Sequence, residues 1–261
     1  MDFMISAVTD VGIRKDTNQD SLSVKVIHTC QGRMVAAVLC DGMGGLERGE
    51  TASGAVVQAF ERWVAEELPK LCQGGVEDNV IRHQWENVIA DMNQRIRCYG
   101  ASQGVKMGTT VVAMLLTQKK YYILNVGDSR AYEISKDVKQ LTVDHTHVAR
   151  QVALGHITEE EANWDRRRNV LFQCVGALDA VYPDMVIGEI EEDAVYMLCS
   201  DGFWHNFSRE ELYEKLQPGV LLQKDDMDQS GRRLVDLAKQ RLEQDNISVV
   251  LVRTCQEAEY A

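Results

Sequence analysis

The chain has 261 residues, of which 40 are Asp or Glu and 28 are Lys or Arg, and its formal net charge at pH 7 is −12. Hydrophobic residues make up 45% of the sequence, and only 3 residues are proline. This composition is that of an ordinary globular protein and excludes a disordered, collagen-like or low-complexity chain. The acidic balance argues against a nucleic-acid-binding protein, because Lys and Arg contacts to phosphate supply most of that affinity.

The cysteines and the apolar runs indicate in which cellular compartment the protein is expected. The 7 cysteines form no CxxC pair, so neither a metal–thiolate site nor a redox motif is predicted. Cys40 and Cys199 lie in strand-like runs, and we expect them to pack as small core hydrophobes. The longest apolar runs, 34–40 and 111–116, are far shorter than the roughly 18 residues that cross a bilayer. Without a signal-peptide pattern near Met1, a cytoplasmic protein with no membrane span is expected.

The predicted strands are short, rich in Val, Ile, Tyr or Thr, and bounded by Gly, Asp or Asn. In chain order they are Met4–Val8, Ser21–Val26, Met34–Leu39, Thr109–Leu116, Tyr121–Val126, Ala131–Ile134, Met185–Ile190, Val195–Cys199 and Ile247–Val252. Apolar residues recur at three- to four-residue spacing in three other segments, which predicts helices. The predicted helices are Glu50–Leu71, Val80–Tyr99 and Arg232–Leu242.

The order of these elements indicates the fold class. Strands, two long helices, more strands, shorter helices and a final strand follow one another, without the βαβ alternation of a parallel sheet. We therefore expect an α+β fold with mainly antiparallel sheets flanked by helices. No linker or repeat divides the chain, so residues 1–255 should form one domain and 256–261 a short C-terminal tail. Residues 145–170 lack strand character and are predicted to be a surface insertion of the functional kind.

Aspartates stand at the ends of several predicted strands. Taken singly, each is most simply a turn residue, because Asp-Gly is a strong hairpin signal. Several carboxylates brought together would repel one another and titrate upward unless a cation neutralised them. Carboxylates, carbonyls and waters are the ligands of Mg²⁺ and Mn²⁺, and two such ions can drive in-line attack on phosphorus. The aspartates concerned are Asp20, Asp41, Asp128, Asp201 and Asp245.

Seven motifs run in order from residue 18 to residue 248. They are Asn18-Gln19-Asp20, Asp41-Gly42-Met43-Gly44-Gly45, Gly108-Thr109-Thr110, Asn125-Val126-Gly127-Asp128-Ser129-Arg130, Leu141-Thr142-Val143-Asp144-His145-Thr146, Ser200-Asp201-Gly202 and Asp245-Asn246-Ile247-Ser248. In type, order and spacing this set resembles the metal-dependent protein Ser/Thr phosphatases of the PPM or PP2C type, in particular their bacterial branch. The resemblance covers nearly the whole chain.

The resemblance implies a fold and a reaction. The fold would be a four-layer α-β-β-α sandwich, two mainly antiparallel sheets packed together with helices outside. The enzyme would be a protein-serine/threonine phosphatase that uses a bimetal-activated water and forms no covalent phosphoenzyme. Its cofactors would be two Mn²⁺ or Mg²⁺ ions in the core site, with a third in bacterial members. Its substrates would be phosphorylated proteins, themselves targets of a Ser/Thr kinase, and residues 145–170 would be the family's flap beside the substrate entrance.

The resemblance also implies the residues of the site. Asp41 would bridge the two ions, and the carbonyl of Gly42 would bind one of them. Asp201 and Asp245 would complete the protein ligands of the other ion. Asp41, Asp201 and Asp245 are therefore the implied catalytic residues.

Two further aspartates complete the implied metal set. Near the metals, Gln19 and Met43 depart from the family pattern. Asp20 would lie close to the metals, directly or through water, and Asp128 would share the third ion with Asp201. Gln19 stands where many relatives have Glu, which removes one charge. Met43 stands where the eukaryotic branch has a His proposed as general acid, so leaving-group protonation cannot depend on that side chain.

Two basic residues compete for the phosphate-binding role. The family's phosphate-binding Arg lies five residues before the position of Asp20, and here that place is Lys15. Chemistry favours Arg14 instead, because a guanidinium forks two hydrogen bonds onto a phosphate. The segment before Asn18 is expected to be extended, so that only one of the two side chains faces the metals. Spacing favours Lys15, and Arg14 stays open as the alternative.

Other polar residues near the motifs receive structural interpretations. His145 and His147 are expected to make hydrogen bonds. Trp204 and His205 are expected to cover the loop that follows Asp201.

Two other functions are compatible with the same fold. One is a phosphatase of small phosphorylated metabolites that uses the same site. The other is a pseudophosphatase, a catalytically weak or inactive binding or scaffold module. Retention of all five aspartates argues against the scaffold, because a decayed site would be expected to lose at least one.

Overall fold

The computed structural model describes residues 1–43, 48–165 and 167–255. The strands in these ranges are β1 (Asp2–Asp10), β2 (Ser21–Thr29), β3 (Gly32–Cys40), β4 (Val111–Leu116), β5 (Lys120–Val126), β6 (Arg130–Ile134), β7 (Val138–Gln140), β8 (Asp184–Glu189), β9 (Val195–Cys199) and β10 (Ile247–Cys255). They form two five-stranded sheets, ordered β1-β10-β9-β6-β7 and β2-β3-β4-β5-β8. All neighbouring strands are antiparallel, as the sequence predicts.

Helices cover the outer face of each sheet. They are α1 (Gly49–Glu66), α2 (Leu68–Gly74), α3 (Asp78–Gln103), α4 (His147–Ala153), α5 (Glu159–Trp164), α6 (Asp201–Trp204), α7 (Arg209–Leu216) and α8 (Lys224–Gln240). The helices α1 to α3 share an apolar cluster with the β2-β3-β4-β5-β8 sheet. The helices α6 to α8 share another with the opposite sheet. A third cluster lies between the sheets, which completes the expected four-layer α-β-β-α sandwich.

The strand β3 shows why the sequence forms these layers. Its even residues from Met34 to Cys40 pack toward the helices, and its odd residues from Val35 to Leu39 pack toward the other sheet. Successive side chains of a strand point to opposite faces, so a strand buried on both faces is a continuous apolar run. Cys40 and Cys199 are both fully buried among apolar neighbours, which confirms their predicted role as core residues.

Two predicted helices need correction, and one strand has no counterpart in the prediction. The helix predicted over Glu50–Leu71 ends at Glu66 and restarts at Leu68, because Pro69 lacks the N–H that a continuous helix needs. The helix α8 begins at Lys224, where its first turn is polar and shows no apolar periodicity. The strand β7 was not predicted, because three residues are too few to show alternation.

The segment between β7 and β8 joins an edge strand of one sheet to an edge strand of the other. It contains α4 and α5, whose N-caps are the side chains of Thr146 and Thr158. Three positions of the predicted motifs and insertion, Gly44, Gly45 and Arg166, lie outside the described residues. The predicted tail, 256–261, also lies outside them. No helix in the described part of the chain has the length and apolarity needed to span a membrane.

Candidate metal centre

Antiparallel pairing brings the aspartates together at one edge of each sheet. Ser21 pairs with Cys40, so Asp20 before β2 and Asp41 after β3 are neighbours at the same end. On the other sheet β10 pairs with β9, and the N–H of Ser200 donates to the carbonyl of Ser248 at 3.1 Å. Residue 201 after β9 and residue 245 before β10 therefore also meet at one end.

Asp128 lies on the turn where the chain passes from β5 in one sheet to β6 in the other. The hydroxyls of Thr110 and Ser129 are 2.7 Å apart, and the Thr110 Oγ1 also accepts the Asp41 N–H at 3.0 Å. The carbonyl of Asp41 in turn accepts the Thr109 hydroxyl at 2.8 Å. These bonds fix the backbone after β3 against the turn that contains Asp128.

The pKa shifts place the other four aspartates within electrostatic reach of Asp41. Burial raises the pKa of Asp41 well above its ordinary value, and the charges of Asp20, Asp201, Asp128 and Asp245 raise it further. Burial is also the first cause that raises the pKa of Asp20 to about 7 and of Asp201 to about 6. Burial raises the pKa of Asp128 as well, followed by the charge of Asp201. A cluster of this kind disfavours its own ionisation unless a cation is present.

Unsatisfied oxygens show that the cluster suits such a cation. Among the described residues, both carboxylate oxygens of Asp20 and one of Asp201 are buried and make no hydrogen bond of normal geometry. The hydroxyls of Ser200 and Ser248 lie near enough to Asp20 to lower its pKa. Buried polar atoms in native proteins are generally paired, so orphaned carboxylate oxygens among other carboxylates fit a hard divalent ion. Within the described ranges, no three His, Cys, Asp or Glu side chains are spaced as a ready-made metal cage. An open set is compatible with Mg²⁺, which binds through few carboxylates and keeps several waters.

Two glycines permit the close approach of the loops. A Cβ on Gly42 would lie 2.5 Å from the Gln19 carbonyl oxygen and 2.6 Å from the Gly49 carbonyl group. A Cβ on Gly202 would lie 2.2 Å from the Asn246 carbonyl oxygen. The backbone can therefore carry Asp41 and Asp201 to their places only because these positions have no side chain.

Lys15 and Arg14 occupy different places beside the cluster. The Lys15 Nζ lies 3.0 Å from the Asp245 Oδ1, whereas the Arg14 guanidinium donates to the side chain of Gln244. Residues 12–14 form a turn, so the expected extended backbone is wrong there. Gly12 has φ = 79°, a left-handed conformation that favours glycine and starts this turn. The Lys15 ammonium thus contacts one of the five aspartates, and the Arg14 side chain contacts the residue before it.

His145 connects the turn that carries Asp128 to the first residue of β8. Its Nδ1 accepts the Gly127 N–H at 3.2 Å, and its Nε2 lies 3.1 Å from Asp184 Oδ2. His147 Nε2 lies 3.1 Å from the guanidinium of Arg167. These contacts confirm the hydrogen-bonding roles predicted for both histidines.

Sequence reasoning assigned no role to two charged residues beside the Asp128 turn, one half-buried and one buried. Arg130 and Asp144 form a bidentate ion pair, with the Arg130 Nε and Nη2 at 2.9 and 2.7 Å from the two carboxylate oxygens. Both residues belong to recognised motifs, the first after Asp128 and the second before His145. Their places in the motifs were visible, but a contact across 14 residues was not.

Comparisons with known proteins show the family of this chain. Residues 13–242 match the protein phosphatase 2C family. The serine/threonine phosphatase Stp of Listeria monocytogenes is 30% identical over 248 residues, which are 94% of this chain and 93% of that one. The structure of the serine/threonine phosphatase Stp1 from Staphylococcus aureus is 30% identical with a TM-score of 0.83, and the match covers 97% of this chain and 95% of that one.

A second solved structure bears on the metals. The catalytic domain of the serine/threonine protein phosphatase PstP, in complex with two manganese ions, is 26% identical to this chain. The match has a TM-score of 0.76 and covers 97% of this chain and 99% of that one. With the family match spanning most of the sequence, the chain belongs to the protein phosphatase 2C family.

Proposed function

We propose that this protein is a metal-dependent phosphatase that hydrolyses phosphoserine and phosphothreonine in proteins. The observation that carries this proposal is the cluster of five aspartates at the seam of the two sheets. Burial and the charges of the other four raise the pKa of Asp41, and carboxylate oxygens of Asp20 and Asp201 lack hydrogen-bond partners among the described residues. Membership of the protein phosphatase 2C family and the names of its relatives support the reaction and the substrate class. All seven cysteines are free thiols in the described structure, which supports a reducing, cytoplasmic location.

The aspartates would share the metals as follows. Asp41 would contact both core ions, with the Gly42 carbonyl on one and with Asp201 and Asp245 on the other. The central position of Asp41 supports its bridging role, because the charges of its acidic neighbours all act on its pKa. We infer that either Mn²⁺ or Mg²⁺ serves, since both are hard cations that bind oxygen ligands. When bound, such ions supply the nucleophilic water and neutralise charge on the phosphoryl oxygens.

The remaining aspartates would act at the edge of this pair. Asp20, with both oxygens unpaired, would orient a core ion directly or through water. Asp128 would share a third ion with Asp201, whose charge raises the Asp128 pKa more than that of any other group. We infer this third ion from those two side chains.

Substrate binding falls to groups beside the metals. Lys15 would hold the substrate phosphate as a point charge, which its place 3.0 Å from Asp245 supports. Arg14 would lie beside the phosphate-binding position, since its guanidinium is hydrogen-bonded to the Gln244 side chain. Met43 has no proton to donate, so the leaving group would take its proton from elsewhere in the site.

The insertion would border the substrate entrance. We infer that residues 145–170 act as a flap on a single domain formed by residues 1–255. The N–H of His145 donates to the Gly127 carbonyl at 2.9 Å, which ties the start of the insertion to the turn that carries Asp128. The natural substrates would be proteins phosphorylated by a Ser/Thr kinase.

The test compares a phosphothreonine peptide, a phosphoserine peptide and a generic aryl phosphate with Mn²⁺, Mg²⁺ or chelator. We expect metal-dependent release of phosphate from both peptides and none in chelator. Turnover of the aryl phosphate alone would favour a phosphatase of small metabolites. No release of phosphate with any of the metals would favour the scaffold alternative.

A further inference from the structure

The side chain of Trp204 connects the two aspartates assigned to the third ion. Its indole Nε1 donates a hydrogen bond to the Asp128 carbonyl oxygen at 2.9 Å. Trp204 is also the last residue of α6, the one-turn helix that begins with Asp201. One indole ring therefore joins the turn that carries Asp128 to the helix that carries Asp201.

Arg130 fixes that indole ring in place. Its guanidinium carbon lies 3.1 Å from the centre of the Trp204 ring, a cation–π contact. The fork of Arg130 is held by the Asp144 carboxylate, and its remaining Nη1 donates to the Tyr132 hydroxyl at 3.0 Å. The side chains of Arg130 and Asp144 are only 19% and 9% exposed. A buried, bidentate pair of this kind has one geometry, so the ring it stacks on is restrained as well.

The sheet itself does not set the distance between the two aspartates. Arg130 and Cys199 are the last paired residues of the β6–β9 ladder. Asp128 lies two residues before Arg130, and Asp201 lies two residues after Cys199, so both have left the ladder. A connection beyond its end is needed to hold them, and the Trp204 hydrogen bond with its Arg130 stack provides one.

We propose that Arg130, Asp144 and Trp204 form a clamp that positions Asp128 and Asp201 to share one divalent ion. These three are positioning residues, because they act through the two aspartates. Groups that orient metal ligands are worth about 10- to 100-fold in metal affinity. The inference rests on the proposed function for the identity of the ligand pair and adds the residues that set its affinity.

The test uses two conservative variants and one matched control. Trp204→Phe keeps an aromatic ring for Arg130 and removes the N–H donor. Arg130→Lys keeps the charge and removes the planar fork. Trp63→Phe is the control, because Trp63 donates its Nε1 to Gln84 at 2.7 Å in the helix layer over the other sheet. It loses the same kind of hydrogen bond without touching the clamp.

The first measurement is an Mn²⁺ binding isotherm, in which electron paramagnetic resonance gives the concentration of free Mn²⁺. The second is the melting temperature of each protein in chelator. We expect the weakest class of Mn²⁺ site to lose about 10- to 100-fold in affinity in both clamp variants. The tighter classes should lose less, because Asp41 and Asp245 would also bind the core ion that Asp201 contacts. Trp63→Phe should leave the whole isotherm unchanged.

Several outcomes would overturn the clamp. One is a lower melting temperature in chelator with an unchanged isotherm, which is what a merely structural role gives. Another is equal weakening of every class, and a third is an unmodified protein that binds no more than two ions. If Trp204→Phe fails to fold, Arg130→Lys decides alone. Because the isotherm needs no turnover, an unmodified protein that binds three ions but releases no phosphate would reject the proposed function. Weaker binding of the third ion in both clamp variants would still support the clamp.

Discussion

Among the residues of the site, Asp41 is the one whose pKa is raised by the charges of all four other aspartates. Asp41→Asn keeps the shape of the side chain and removes the charge proposed to act on two ions at once. We expect turnover of a phosphothreonine peptide to fall by orders of magnitude, since positioning of the nucleophile depends on this carboxylate. The far-ultraviolet circular dichroism spectrum should not change.

Asp137→Asn is the matched control, because Asp137 is exposed on the β6–β7 turn. It should keep the turnover of the unmodified enzyme. Near-normal, metal-dependent turnover by Asp41→Asn would show that the proposed centre is wrong.

Lys15 and Arg14 offer a second comparison between single residues. Lys15 contacts Asp245 inside the cluster, whereas Arg14 bonds to Gln244 beside it. Loss of a charge-assisted contact to the substrate phosphate should cost about 1.5–3 kcal/mol, mainly as a higher KM. We expect Lys15→Ala to lose that much in kcat/KM and Arg14→Ala to lose less. Steady-state kinetics on one phosphopeptide decides, and a larger loss in Arg14→Ala would transfer the phosphate-binding role to Arg14.

The helices and strands differ in how far the sequence predicts them. The strand β3 is predictable because a long apolar run such as Met34–Cys40 has few alternatives to a buried strand. The break between α1 and α2 could have been found from Pro69, but the apolar periodicity continues across it. The three residues of β7 have no local signal, since their place depends on pairing with β6. Local patterns thus predict elements whose own residues carry a long apolar run or a clear periodicity.

The residues of the candidate site also differ in how far the sequence predicts them. The aspartates and their order were visible in the motifs, and antiparallel pairing explains why they converge. The contact between Lys15 and Asp245 joins residues 230 positions apart, and no local pattern encodes it. The Arg130 stack on Trp204 likewise depends on where α6 begins after β9. Contacts between distant segments are properties of the packed fold, so the sequence predicts the clustering of the aspartates better than the contacts that their neighbours make.

The short helix α6 depends on one glycine for its packing. A Cβ at Gly202 would collide with the Asn246 carbonyl oxygen, which belongs to the loop that leads into β10. Gly202→Ala should therefore push α6 away from that loop and separate Asp201 from Asp245. Overpacking of this kind costs about 1–3 kcal/mol of stability. Urea unfolding and an Mn²⁺ titration should show both a lower midpoint and weaker binding.

Gly74→Ala is the control for this helix-level effect. Gly74 is the last residue of α2, and a Cβ there would meet nothing within 4 Å. That variant should be neutral or slightly more stable, because alanine reduces the conformational freedom of the unfolded chain. An unchanged midpoint and unchanged Mn²⁺ binding in Gly202→Ala would contradict the packing argument.

Across the whole molecule, the proposed metal centre would lie where the two sheets meet, and each sheet contributes part of it. Asp20 and Asp41 come from one sheet, and Asp201 and Asp245 come from the other. Their mutual repulsion acts across the seam of the sandwich, in a chain that already has a net charge of −12. Metal binding should therefore stabilise the entire fold by linkage, because the ions bind the folded chain and neutralise the seam.

This linkage predicts how the metal-free protein responds to pH. Burial, followed by the charges of Asp201 and Asp245, raises the pKa of Asp20 from its ordinary value of 3.8 to about 7. The folded chain thus holds this proton more tightly than the unfolded chain does. In chelator, the contribution of Asp20 to the free energy of unfolding should be fully present below about pH 4 and should be lost as pH rises through about 7.

Asp20→Asn isolates that contribution, because the opposing effect of His205, whose pKa burial lowers to about 4, is common to both proteins. In urea melts with chelator, the variant should be the more stable protein at pH 7.5, by an amount on the order of a few kcal/mol. The difference should shrink toward pH 4, where Asp20 is protonated in the folded chain. With Mn²⁺ at pH 7.5 the order should reverse, since the ion stabilises the carboxylate and not the amide. An Asp20→Asn variant no more stable than the unmodified protein in chelator at pH 7.5 would contradict a repulsive centre that the metal ions relieve.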